Sequence, residues 1–202
     1  MDADAARRKA AAERGALLDL AAILTHDLSN PLQSVTVLCE LGMEEDDPLE
    51  APRRAEQSLQ AAERMRDLLH AYASVVRTVD RPTMVASALD RAVAMFARRL
   101  ERHRISLQLG VERDFEGPSS TGLAVVSAFL AMIAAAEAHG GPFEARIVAD
   151  GPLLDASLEL TSGERVAWPD ASVSSVDDIL GAEGTAAVEE GVLRLRLETG
   201  RA

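Results

Sequence analysis

Over the first forty residues the apolar positions keep a regular beat. Leu17, Ala21, Leu24, Leu28, Pro31, Val35, Leu38 and Gly42 follow one another in alternating steps of four and three, which is the spacing of a coiled-coil seam. The pattern predicts one helix from about Asp4 to Met43, frayed near Gly15, and roughly 60 Å long at ~1.5 Å per residue. The acidic run Glu44, Glu45, Asp46 and Asp47 before Pro48 reads as a turn, with Asp47 a candidate N-cap and Glu50 three residues on. Pro52 places the start of the next helix near that residue. That helix runs to about Arg77. Ala55, Leu59, Ala62, Leu69, Ala73 and Val76 form its stripe, widened by Met65, Leu68, Tyr72 and Val75.

Two long helices and a short loop make a helical hairpin. Its apolar stripe is wider than one facing helix covers, so two hairpins are expected to pair as a four-helix bundle in a homodimer. The alternative is that the hairpin packs onto the rest of its own chain.

Beyond Thr78–Thr83 the pattern changes, and the boundary divides residues 1–79 from 80–202. Met84 to Glu101 has helical spacing. Ile105, Leu107, Leu109 and Val111 alternate as in a half-buried strand. After a turn at Gly117–Ser120, a very apolar helix runs from Thr121 to Ala138 and stops at Gly140, Gly141 and Pro142. Three further strands show the two-residue period, at Phe143–Ala149, Leu154–Leu160 and Leu193–Leu197. Together these predict an α+β chain: a hairpin, then a two-layer sandwich whose antiparallel or mixed sheet is covered by helices on one side. Residues 163–191 read as a loop with at most one short helix.

Composition narrows the functions. Only 3% of residues are aromatic against 48% hydrophobic, which suits Ala- and Leu-rich helices. The net charge of -12 opposes nucleic acid or an anionic membrane as partner. The single cysteine, Cys39, allows no internal disulfide and fits a reducing compartment; on the flank of the seam it reads as a small apolar residue. No apolar run approaches the ~20 residues of a membrane span, and the first residues lack the apolar core of a signal peptide. A soluble, cytoplasmic protein is expected.

The candidate chemistry sits on the first helix. His26 and Asn30 are one turn apart on a shared face, and Asp27 flanks it. His26 falls between Leu24 and Leu28 on the side away from the seam, so it is expected to be exposed. An imidazole with a carboxylate beside it and a carboxamide one turn on is a nucleophile with supporting groups. Pro31 has no N–H to give the carbonyl of Asp27, so a bend is expected just past the histidine. The other histidines carry less. His70 reads as a partly buried bundle residue, His103 as a solvated helix end among arginines, and His139 as a helix C-terminus. No Cys/His spacing suggests zinc.

The run His26-Asp27-Leu28-Ser29-Asn30-Pro31-Leu32 resembles the H-box of bacterial two-component histidine kinases and their related phosphotransferases. The resemblance implies that His26 carries a phosphoryl group, Asp27 assists and Asn30 helps position the chemistry. It also implies that Ser29, Pro31 and Gln33 lie where a receiver domain docks. The order of elements after the hairpin resembles the Bergerat-type ATP-binding domain of those kinases, but the nucleotide motifs are missing. Ala135 stands where the kinases carry a metal-holding asparagine, and the nearby Glu137 reads as exposed. Leu160-Thr161-Ser162-Gly163-Glu164-Arg165 replaces Asp-x-Gly-x-Gly, and the glycine-rich lid is absent, with Gly181 and Gly184 isolated turn residues.

An H-box with a degenerate nucleotide domain is similar to the dimeric bacterial (ChpT-like) histidine phosphotransferases. That likeness implies relay between receiver domains with no cofactor of its own, Mg²⁺ being supplied by the partner receiver. Two other readings compete: a pseudokinase scaffold without chemistry, and a divergent active histidine kinase.

Overall fold

The computed structural model describes residues 3–43, 50–78 and 81–198. The order of elements is α1 (Ala3–Met43), α2 (Glu50–Thr78), β1 (Thr83–Met84), α3 (Val85–Arg102), β2 (Ile105–Arg113), β3 (Glu116–Gly117), α4 (Thr121–His139), β4 (Phe143–Asp150), β5 (Leu153–Leu160), α5 (Asp170–Leu180), a 3₁₀ turn (Gly181–Glu183), β6 (Gly184–Glu189) and β7 (Val192–Leu197). The architecture is α+β, a long helical hairpin followed by a mixed sheet with helices. Helix α1 is unbroken at Gly15. Helix α2 begins two residues before Pro52, because a proline in the first turn has no N–H that the helix needs. The proposed cap at Asp47 lies outside the described residues.

By its contacts the chain forms two compact units, residues 17–74 and the described parts of 1–16 with 75–202. The first is the body of the hairpin. In the second, a sheet ordered β2-β4-β5-β7-β6 pairs β2 with β4 in parallel and every later neighbour antiparallel. Its inward positions follow the two-residue period. Phe143, Ala145, Ile147 and Ala149 are buried, as are Leu154, Ala156 and Leu158, and Leu193, Leu195 and Leu197. Edge strand β2 departs from it: Ile105 is buried, but Leu109 and Val111 are exposed, since an outermost strand has cover on one flank only.

Helix α4 is the spine of this unit. It is long and apolar enough by length and composition to cross a membrane, which corrects the expectation that no segment approaches that length. Most of it is instead buried in the domain, packed against α3 and α5, with Phe129 stacked on Phe96 at 5.8 Å. Gly140, at φ +64° and ψ 140°, ends α4 in a backbone conformation that favours glycine, and its N–H bonds to Ala136 O at 3.0 Å. The start of α3 is capped from outside: Asp114 Oδ1 accepts Ala86 N–H at 3.0 Å.

Residues 163–191 hold more structure than the sequence suggested. They contain α5, the 3₁₀ turn and β6. Helix α5 buries only Val176, Ile179 and Leu180, and β6 reads Gly-Thr-Ala-Ala-Val-Glu. Neither offers a long apolar period.

Candidate functional site

Both hairpin helices carry two adjacent apolar lines, and the structure uses one of each inside the hairpin. On α2 the shielded line is Ser58, Ala61, Met65, Leu68 and Tyr72. The line of Ala55, Leu59, Ala62, Leu69 and Val76 is turned out: Leu59 is 60% exposed and Leu69 44%. On α1 the deepest positions are Ala16, Leu20, Asp27 and Pro31, and most of the expected seam is only half-buried beside them. The two lines on each helix differ by about one residue of helix rotation. Apolar side chains occupy both lines, so hydrophobicity alone does not say which meets the partner helix. Leu24, Met65, Leu69 and Tyr72 line an open apolar cleft of about 630 Å³ on the hairpin.

That rotation sets the site. Asp27 lies on the inner line with its side chain only 7% exposed, while the neighbouring His26 is 55% exposed. His26 Nδ1 and Asp27 Oδ1 are 2.9 Å apart. A carboxylate can only accept, so the ring nitrogen facing it carries a proton, and in the neutral imidazole the lone pair is on the outward Nε2. Asn30, four residues on, is exposed as expected. The arrangement is an outward-facing imidazole held from the interior by a carboxylate.

The helix around the site is rich in hydroxyls bonded back to the preceding turn. Thr25 donates to Ala21 O at 2.8 Å, Ser29 to Thr25 O at 2.8 Å, Ser34 to Asn30 O at 3.0 Å and Thr36 to Leu32 O at 3.0 Å. With Pro31 giving no bond to Asp27 O, this is the local chemistry of a soft or bent helix. Helix α1 nonetheless continues through Pro31.

Of the three residues assigned to docking, Ser29 and Gln33 are exposed beside His26, and the Ser29 hydroxyl proton is already committed to Thr25 O. Pro31 is buried, one turn after Asp27 on the inner line, so its ring is not presented to solvent where Ser29 and Gln33 are.

The remaining single residues sort differently from expectation. His70 is exposed at the apolar cleft because it follows the outward Leu69. His103 is half-buried, with Nε2 3.2 Å from Glu137 Oε1, a pairing across α3 and α4 that neither segment reveals alone. Glu137 is exposed as expected. His139 Nδ1 donates to Ala135 O at 2.9 Å. Cys39 is an exposed free thiol, not a packed flank residue. Among the described residues, no group of three or more His, Cys, Asp and Glu side chains could hold a metal ion.

No family model matches the chain, and no curated relative does. Solved structures similar to it include a bacterial phosphotransferase, 15% identical over 90% of this chain and 96% of that one, with a TM-score of 0.49. The Acinetobacter baumannii histidine kinase AdeS is 13% identical over 87% and 98%, with a TM-score of 0.43. Histidine kinase ThkA in complex with response regulator protein TrrA is 11% identical over 90% and 61%, at 0.38. All three scores lie below 0.5.

The α/β unit shows what stands at its motif positions. Ala135 is buried hydrocarbon in α4. The segment after β5 closes on itself: Leu160 N–H bonds to Glu164 O, Gly163 N–H to Leu160 O and Val166 N–H to Leu158 O. Val166 and Trp168 are buried there, and Trp168 Nε1–H donates to Gly191 O at 3.0 Å. One polar cluster escaped the sequence reading. Glu183 gathers Lys9, Ser119 and the Ser120 amide, groups scattered over three stretches of the chain.

Proposed function

We propose that this protein is a histidine phosphotransferase that relays a phosphoryl group between response-regulator receiver domains through His26, as a cytoplasmic homodimer without nucleotide chemistry of its own. The observation that carries the reading is the His26–Asp27 pair, an exposed imidazole whose inner nitrogen is held by a shielded carboxylate at 2.9 Å.

The chemistry follows from that pair. Nε2 of neutral His26 attacks the phosphorus of a receiver's aspartyl phosphate in line. The N–P bond forms as the bond to the aspartate oxygen breaks, and the receiver's carboxylate leaves with the electron pair. The ring gains positive charge, and Asp27 stabilises it through the bonded Nδ1–H. Asn30 offers an amide donor on the same exposed face. The next receiver's aspartate reverses the step. Mg²⁺ belongs to the receiver in this scheme and neutralises the moving phosphoryl oxygens.

The outward line of Leu59, Ala62 and Leu69, with exposed Leu18 and Leu32 on α1, supports pairing of two hairpins. A contiguous apolar surface of this kind is disfavoured in water. The hydrocarbon at Ala135 and the tied segment at 160–168 support a domain that does not use ATP, which weighs against an active kinase. A scaffold without chemistry would have no use for the ordered imidazole.

Incubation with a receiver carrying labelled aspartyl phosphate, followed by fragment mapping, tests the proposal. Label is expected on the fragment holding His26, with the acid lability of a phosphoramidate. Label elsewhere, or none, overturns it.

A further inference from the structure

We propose that the cleft where α3 and α4 end binds a small oxyanion, a phosphoryl or carboxylate group, through the guanidinia of Arg102 and Arg104. The site lies wholly within the α/β unit and does not depend on the role of His26.

The end of α3 supplies Arg102, His103 and Arg104 to this cleft, and the end of α4 supplies Glu137, Gly140 and Gly141. Its volume of about 360 Å³ is that of a small-molecule site. In a chain of net charge -12 acids are in surplus, yet Glu137 is the one acid lining the cleft among the described residues. That acid is already engaged, with Oε1 3.2 Å from His103 Nε2. The guanidinia of Arg102 and Arg104 have no hydrogen bond or ion pair among the described residues. A guanidinium is a fixed fork of donors that matches the paired oxygens of a carboxylate or a phosphate. Two such forks stand here with only His103 between them in the chain.

The backbone supplies an independent observation. Arg104 stands just past the end of α3 at φ +54°, the place and the conformation that glycine usually takes. Its N–H donates to Glu101 O at 3.0 Å, and its carbonyl accepts Phe143 N–H at 2.9 Å, so the helix end and the start of β4 hold it there. Glycine would make both bonds without the steric cost of a Cβ. A side chain placed against that cost, and opening on the cleft, points to a use for its guanidinium.

The test is ¹H–¹⁵N NMR of the full-length protein, titrated separately with sodium pyrophosphate and sodium succinate at constant ionic strength. Amide shifts at Arg102, Arg104, Gly140 and Gly141 are expected to saturate, with half-saturation at about 1 mM or below. Arg102→Gln and Arg104→Gly should each raise the half-saturation roughly tenfold or more. Arg104→Gly should nonetheless melt at the wild-type temperature or above it, because the left-handed position is freed of its Cβ. Saturation by pyrophosphate names a phosphoryl ligand and saturation by succinate a carboxylate one, and either keeps the site. Shifts still linear at about 10 mM of both anions, or an Arg104→Gly protein that binds as wild type does, overturn it.

Discussion

At the scale of single residues, the site is a division of labour between neighbours that face opposite ways. His26 is out in solvent and Asp27 is under the helix, so the carboxylate steadies the ring without obstructing Nε2. Losing the charge of Asp27 removes a charge-assisted hydrogen bond worth about 1.5–3 kcal/mol, so Asp27→Asn should slow transfer roughly 10- to 100-fold in single-turnover assays. Asn30→Ala removes a neutral donor and should slow it roughly two- to tenfold. Equal rates for wild type and Asp27→Asn would remove the carboxylate from the chemistry. The exposure of His26 was legible in the sequence because it lies off every apolar line. The burial of Asp27 was not, because a charged residue gives no apolar signal for the line it shares with Leu20 and Pro31.

At the scale of elements, the hairpin and the sheet differ in how much their sequences reveal. Strands β4, β5 and β7 alternate large apolar and polar residues, and the structure buries that face. Strand β6 rests on a few apolar residues and stayed hidden, as did the β1–β3 pair of two residues per strand, whereas α5 is the one short helix that the segment allowed. The hairpin was legible as helices, but its two apolar lines could not be ranked. The outward line makes a prediction. Leu69→Glu adds a charge to a position already exposed in the protomer, so the fold should survive. A dimer buried there would bear an unpaired charge and should dissociate. Light scattering should report a dimer for wild type and a monomer for Leu69→Glu, with unchanged helical circular dichroism. A monomeric wild type would refute the paired bundle.

The Glu183 cluster makes a second prediction for these elements. Burial alone would raise this carboxyl, but the bonds from Ser120, Lys9 and Ser119 outweigh it and hold the group below the usual carboxylate value. Its native pKa thus lies below its unfolded one, so its stabilisation is complete above the unfolded value of about 4.3 and fades as pH falls through the lower native value. At pH 7, Glu183→Gln should melt about 2–4 °C below wild type. The gap should close below about pH 4; a gap that widened in acid would contradict the sign.

At the scale of the whole molecule, two units divide the work. In the proposed relay the hairpin carries the nucleophile, and the α/β unit has buried hydrocarbon at Ala135 and a closed turn at 160–168. Titration calorimetry with Mg-ATP should show no binding at micromolar concentrations, and tight binding would restore the kinase reading. The order of elements was legible because α4 and the long strands announce themselves. Contacts that join distant stretches, such as Lys9 with Glu183 and His103 with Glu137, were not, because neither partner marks the other in the chain. The central claim is that His26 itself accepts the phosphoryl group. Transfer of label from a phosphorylated receiver to wild type and to His26→Ala measures it directly. The account predicts labelled wild type and an unlabelled variant that still binds the receiver and keeps the fold, since an exposed side chain contributes little to stability. Undiminished labelling of His26→Ala would contradict it.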